Sequence, residues 1–205
     1  PLGDASRTVV LEDSRFISDR AVLPVNDPRW SDTRVRTGAV MGAVQSGKTA
    51  SMIGVTARSL DSGANVVVIL AGTQVSLWQQ TLARIRSQLD SGPQPLKRRL
   101  FLPRAADPGA IRRATVAATY NLSVGQVERA FTLGRPIIVV AMKQVDHLLH
   151  LGQTLHNVVF PAAEAIGVPV RLLVIDDEAD DSSIADVFFF NDTAATEIYT
   201  QIPRR

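Results

Sequence analysis

The chain carries the octapeptide Gly42-Ala43-Val44-Gln45-Ser46-Gly47-Lys48-Thr49, which matches the pattern G-x-x-x-x-G-K-[ST]. An apolar, β-branched run over 34–41 predicts a strand before it, and a periodic segment over 48–60 predicts a helix after it. The two glycines of the pattern allow a tight turn with inward-facing N–H groups, and the helix N-terminus adds partial positive charge. The octapeptide therefore predicts a phosphate-binding loop.

The residue types of this loop suit a nucleoside triphosphate bound with magnesium. Lys48 is expected to supply the charge that bridges the β- and γ-phosphates. The Thr49 hydroxyl is a ligand for magnesium, which takes few protein ligands and keeps most of its waters. The residues predicted to bind the nucleotide are Gly42, Gln45, Ser46, Gly47, Lys48 and Thr49.

Apolar strands alternate with helices along the rest of the chain. Continuous apolar runs over 66–70, 136–141 and 170–175 predict strands that are buried on both faces. Helical spacing predicts a helix over 147–166, whereas prolines and basic residues over 94–134 predict a peripheral, partly helical segment. The alternation predicts an α/β fold, in which helices cover both faces of a mainly parallel sheet.

A cluster of carboxylates ends the last predicted strand. Asp176, Asp177, Glu178 and Asp180 put four carboxylates within five residues, at the carboxyl end of a strand, where open α/β sheets bind ligands. Such charge is costly to bury unpaired, and magnesium would offset it. One aspartate is expected at the metal, and the next glutamate is expected to orient the attacking water. An acidic N-terminus of a following helix is the structural alternative.

Composition excludes several classes of protein. The 205 residues suit one domain, and 45% hydrophobic with 20% charged residues is typical of a globular chain. A net charge of +2 does not by itself indicate nucleic-acid binding, and the absence of cysteine excludes disulfides and thiolate metal sites. No apolar run reaches the roughly 18 residues that a membrane span needs. We expect a cytoplasmic protein without a membrane partner.

The domain organisation is predicted in three parts. Residues 1–33 form an N-terminal flanking segment, and 34–187 form an incomplete nucleotide-binding domain. From Phe188 the sequence changes character and resembles the in-frame translation of a sequencing adapter, so 188–205 are interpreted as a non-native tail. An ordinary threonine-rich strand is the alternative.

The motifs together carry a family resemblance. The octapeptide with Asp177-Glu178-Ala179-Asp180 resembles the first RecA-like domain of superfamily-two helicases. Leu70-Ala71-Gly72-Thr73, Gln80-Thr81 and the doubled aspartate add a resemblance to the Z-one domain family, over roughly Arg34 to Ser183. Members of that family are helicase-like ATPases, often labelled endonucleases, that are linked to prokaryotic restriction and defence systems.

The resemblance implies a function and roles for individual residues. It implies a truncated P-loop NTPase fold with three layers. It also implies ATP and magnesium as cofactors. The implied activity is hydrolysis of ATP by a motor domain that acts on nucleic acid, in particular on DNA. It assigns Lys48 and Glu178 to catalysis, and Thr49 and Asp177 to magnesium, although Asp176 could replace Asp177 at the metal. It places Ala71-Gly72-Thr73 against a nucleic-acid backbone, and a plain strand-to-helix turn is the equal structural alternative. A second lobe and a nuclease module are not found here, so turnover is expected to be weak.

Other interpretations stay open. A nucleotide-gated interaction module without turnover, or a kinase for small substrates, would also use a phosphate loop. No residues in the chain support the endonuclease label. The basic cluster Lys97-Arg98-Arg99 is predicted to be a solvated loop rather than a phosphate contact, and Trp78 is predicted to pack in the core. His147 and His150 lack a third metal ligand.

Overall fold

The computed structural model describes residues 4–22, 27–29, 35, 38, 40, 48–89 and 122–177. The helices on the first part of the chain are α1 at Asp4–Ala21, α2 at Lys48–Asp61 and α3 at Val75–Leu89. Those that follow are α4 at Val124–Thr132, α5 at Val145–Thr154 and α6 at Phe160–Ala165, with a π-helical turn at Leu155–Val159 between α5 and α6. The strands are β1 at Val66–Ala71, β2 at Ile137–Ala141 and β3 at Leu172–Asp177.

The described strands form a parallel sheet in the order β2-β1-β3. In the centre, β1 aligns Val66 with Ile137 of β2 and with Leu172 of β3. Every residue of β1 and β2 is buried, as their uninterrupted apolar sequences predict for strands covered on both faces. The prediction of an α/β fold with a parallel sheet is confirmed in this part of the chain.

Helices cover both faces of the sheet. The side chains of Val67 and Ile69 belong to a core cluster with residues of α2 and α3, together with the end of α1. The alternate side chains of Val66 and Val68 belong to a second core cluster with residues of α4, α5 and α6. Because successive side chains of a strand point to opposite faces, one strand supplies both cores.

The packing of α1 against α2 was not predicted, since residues 1–33 were interpreted as a flanking segment. Ser14 of α1 lies against Gly54 of α2, and a Cβ added at Gly54 would overlap the Ser14 hydroxyl and lie 2.8 Å from its Cβ. The Ser14 hydroxyl donates a hydrogen bond to the Val10 carbonyl at 2.6 Å. Glycine at position 54 therefore allows the two helices to approach closely.

Two predicted elements differ from the structure in detail. The helix predicted over 147–166 is present over 145–165, where it consists of α5, a π-helical turn and α6, with Pro161 in the first turn of α6. Proline has no N–H, so the regular α-helical hydrogen-bond pattern cannot continue through that position. The strand predicted over 170–175 runs from Leu172 to Asp177, and its last four residues are only partly buried, whereas burial on both faces was expected.

Some predictions lie outside the described residues. They include the non-native tail over 188–205 and the basic cluster at Lys97-Arg98-Arg99. Of the strand predicted over 34–41, the described residues Val35, Gly38 and Val40 are not in a strand, and the others lie outside. Within the described ranges, no helix combines the length and the apolar character needed to cross a membrane.

Candidate functional site

The candidate site lies at the edge of the sheet where the parallel strands end. Gly72 and Thr73 follow β1, Lys143 and Gln144 follow β2, and β3 itself ends in Asp176-Asp177. Parallel strands bring their carboxyl ends to one edge, and that edge is where open α/β sheets bind ligands. Polar side chains that are far apart in sequence are therefore gathered there by the fold.

Two hydrogen bonds join the segments that follow β1 and β2. The backbone N–H of Lys143 donates to the Gly72 carbonyl at 2.8 Å, and the Gln144 side-chain amide donates to the Thr73 carbonyl at 3.0 Å. Gly72 has a φ of 48°, in the left-handed region that glycine adopts without strain. The turn after β1 is thus held at a fixed position beside the end of β2.

An ion pair joins the segment that follows β2 to the end of β3. Nζ of Lys143 is 2.9 Å from Oδ1 of Asp176, and the exposed fractions of the two side chains are only 3% and 16%. A charge withdrawn from water to this degree is stable only beside a close opposite charge. The pair therefore neutralises one of the two aspartates that end β3.

The two aspartates face opposite sides of the sheet. Val174 packs in the core under α4, α5 and α6, whereas Ile175 packs in the core under α1, α2 and α3. Strand alternation places Asp176 on the side of Val174 and Asp177 on the side of Ile175. Their partners on β1 agree, because Leu70 and Ala71, which align with Asp176 and Asp177, belong to the same two cores.

The start of α2 lies on the same side as Asp177. The turn at 62–65 joins the end of α2 directly to β1, so α2 runs antiparallel to the strand and its first residues point toward the carboxyl edge. Lys48 is exposed and Thr49 is partly buried, and the first turn of α2 contains no acidic residue. The first N–H groups of a helix have no partner within the helix, and the helix dipole adds partial positive charge there, in this case beside a lysine.

A third helix also contacts the start of α2. The Arg84 guanidinium of α3 donates a hydrogen bond from Nη1 to Oγ1 of Thr49 at 3.1 Å. The neighbouring Ile85 is fully buried, which anchors this part of α3 against the sheet while the Arg84 side chain stays exposed.

Several predicted site residues lie outside the described residues, namely Gly42, Gln45, Ser46, Gly47 and Glu178. Of the others, Thr49 and Asp177 are brought to one face of the sheet, whereas Asp176 is engaged with Lys143 on the other. The described residues contain no group of three or more histidine or carboxylate side chains placed to hold a metal ion.

The sequence reasoning missed Lys143, Gln144 and Arg84. A signal existed for Lys143, because a lysine that directly follows a continuous apolar strand is drawn into the sheet edge and needs a carboxylate nearby. The contact of Arg84 with Thr49 joins two helices and leaves no pattern in the sequence.

On the opposite face, α5 carries two histidines at helical spacing. His147 is buried, and His150 lies one turn further along the helix. Burial lowers the pKa of His150 from its ordinary value of 6.5, and the nearby His147 lowers it further. The neutral form of His150 is therefore favoured in the folded chain.

Comparison of the chain with protein-family models, with curated proteins and with solved structures gave no match.

Proposed function

We propose that the chain is the nucleotide-binding part of a helicase-like ATPase with the P-loop fold, of the kind found in the Z-one domain family. The observation that carries this proposal is that the start of α2, with Lys48 and Thr49, and Asp177 of β3 lie on one face of a parallel sheet, toward its carboxyl edge. The motif around Lys48 and the resemblance to superfamily-two helicases support it.

The residues present fit a magnesium nucleotide. Hard oxygen ligands suit magnesium, and the Thr49 hydroxyl with the Asp177 carboxylate would supply two, leaving the other positions to phosphate oxygens and water. Such a set needs no group of three protein carboxylates or histidines. When bound, magnesium would reduce the negative charge on the phosphates.

Residues of the chain would bind the phosphates, orient the attacking water and position the metal ligand. The N–H groups at the start of α2 and the Lys48 ammonium bind phosphate oxygens. Glu178 accepts a proton from water and orients it toward the terminal phosphate. The Lys143–Asp176 pair would hold the end of β3, and with it Asp177, in place.

Nucleic acid is the proposed partner, on the basis of the resemblance. The exposed residues Thr73 and Gln144, joined by their hydrogen bond, form the part of the carboxyl edge that would meet a nucleic-acid backbone. Contacts through a main-chain group and a hydroxyl would be independent of base sequence. A role in a prokaryotic restriction or defence system belongs to the same proposal.

The test is phosphate release from Mg·ATP by the full chain, with and without DNA. Turnover should be weak but measurable and should rise with DNA. Glu178→Gln should lower turnover about a hundredfold while nucleotide binding is kept. The exposed Glu164 on α6 offers a matched control, and Glu164→Gln should change neither property.

Other outcomes favour other functions. Binding without turnover, unchanged by Glu178→Gln, would identify a nucleotide-gated module. Phosphate transfer to a small acceptor in place of water would identify a kinase. Failure of the wild-type chain to bind Mg·ATP would overturn all three.

A further inference from the structure

Arg84 contacts the proposed nucleotide site from a neighbouring helix. Its Nη1 donates to the Thr49 hydroxyl at 3.1 Å, although the two residues are 35 positions apart in sequence. Buried neighbours fix this part of α3, since Thr81 and Ile85 both pack into the core. The position from which the guanidinium reaches Thr49 is therefore set by the fold.

The contact concentrates positive charge at one place. Arg84 contacts the first turn of α2, which begins at Lys48 and contains no acidic residue, and the helix dipole adds partial positive charge there. Within the part of the chain that the structure describes, Arg84 makes no ion pair with a carboxylate. Two cations at a helix N-terminus favour an anion between them.

The Thr49 hydroxyl can serve both a metal and an arginine. It has two acceptor lone pairs, so one can face a cation while the other accepts from Arg84. The guanidinium has five N–H donors in a planar fork, and the bond to Thr49 uses one. The remaining donors can bind phosphate oxygens that share the metal with Thr49.

We propose that Arg84 is a further phosphate-binding residue of this site, and that it contacts the terminal phosphate of the nucleoside triphosphate. The inference rests on the proposed function and adds to it a residue that distinguishes triphosphate from diphosphate. An arginine from the same chain then supplies charge at the terminal phosphate.

The experiment is a calorimetric titration of the full chain with Mg·ATP and, separately, with Mg·ADP. Arg84→Ala should weaken Mg·ATP binding about tenfold or more, as expected for loss of a charge-assisted contact, and should change Mg·ADP binding far less. Arg84→Lys keeps the positive charge but loses the planar set of N–H donors, so its affinity for Mg·ATP should lie between those of Arg84→Ala and the wild type. Arg86→Ala removes an exposed arginine from another side of α3 and should change neither affinity.

Equal weakening of Mg·ATP and Mg·ADP, or no change of either, would overturn the role of Arg84. Wild-type chain that binds neither nucleotide would instead overturn the proposed function, so the two failures are distinguishable. Thermal unfolding of each variant checks the fold. If Arg84→Ala does not fold, the same two titrations of Arg84→Lys are the test. The inference is overturned if Arg84→Lys prefers Mg·ATP over Mg·ADP to the same degree as the wild type does.

Discussion

The ammonium of Lys143 lies 2.9 Å from the carboxylate of Asp176, and the two side chains are largely withdrawn from solvent. This ion pair joins the end of β2 to β3 across the neighbouring strand β1. It also distinguishes the two adjacent aspartates, because Asp176 is paired on one face of the sheet while Asp177 lies on the side of α2.

Removal of one member of this pair should be costly. Lys143→Met removes the ammonium from beside the poorly solvated Asp176 carboxylate, so the free energy of unfolding should fall by about 3 kcal/mol. Urea unfolding of the full chain measures the effect. The double variant Lys143→Met/Asp176→Leu should recover much of the loss, since no charge is left unpaired. A loss below about 1 kcal/mol in the single variant would show that the pair is unimportant.

The contact between α1 and α2 should be sensitive to one methyl group. Gly54→Ala places a Cβ against Ser14, so overpacking should lower the free energy of unfolding by about 1–3 kcal/mol. The control is Gly125→Ala in α4, where an added Cβ meets nothing within 4 Å. This variant should be neutral or stabilised by about 0.5 kcal/mol, because alanine favours helix over glycine. Equal effects of the two substitutions in urea unfolding would contradict the close approach of α1.

Acid should destabilise the chain partly through His150. Burial and the nearby His147 lower its folded-state pKa below the ordinary value of 6.5, so the unfolded chain takes up the proton first. The stability that neutral His150 contributes is present above about pH 6.5 and is lost as the pH falls through the folded-state value.

Unfolding at about pH 7.5 and about pH 5.5 measures this contribution. The wild type should lose more stability on acidification than His150→Gln does. His156→Gln, at an exposed position further along the chain, is the control and should behave as the wild type. Identical pH dependence of the wild type and His150→Gln would exclude the effect.

Much of the sheet could be predicted from the sequence, because apolar runs of strand length and glycine-containing turns are local signals. The run from Val66 to Leu70 gave β1 almost to the residue, and the burial of Trp78 was also predicted. In the structure Trp78 is 1% exposed and donates from its indole N–H to the Val140 carbonyl at 2.7 Å.

What the sequence could not supply depends on register and on contacts between helices. One residue of register decides which aspartate faces α2, and the sequence left Asp176 and Asp177 both open. The pairing of β3 with β1 aligns Asp177 with Ala71, which packs in the core on the side of α2, so Asp177 is the aspartate that faces α2. The packing of α1 on α2 depends on Gly54, and from the sequence alone a glycine within a helix indicates only low helix propensity.

The most direct test of the proposed nucleotide site is the affinity of the full chain for ATP, titrated with magnesium and again with the metal chelated. We predict saturable binding of Mg·ATP by the wild type, weakened about tenfold or more by Asp177→Asn when magnesium is present and unchanged by it when the metal is removed. Asp176→Asn should lower stability and leave this metal dependence intact. No affinity of the wild type for ATP, or equal metal dependence in Asp177→Asn and the wild type, would contradict the account.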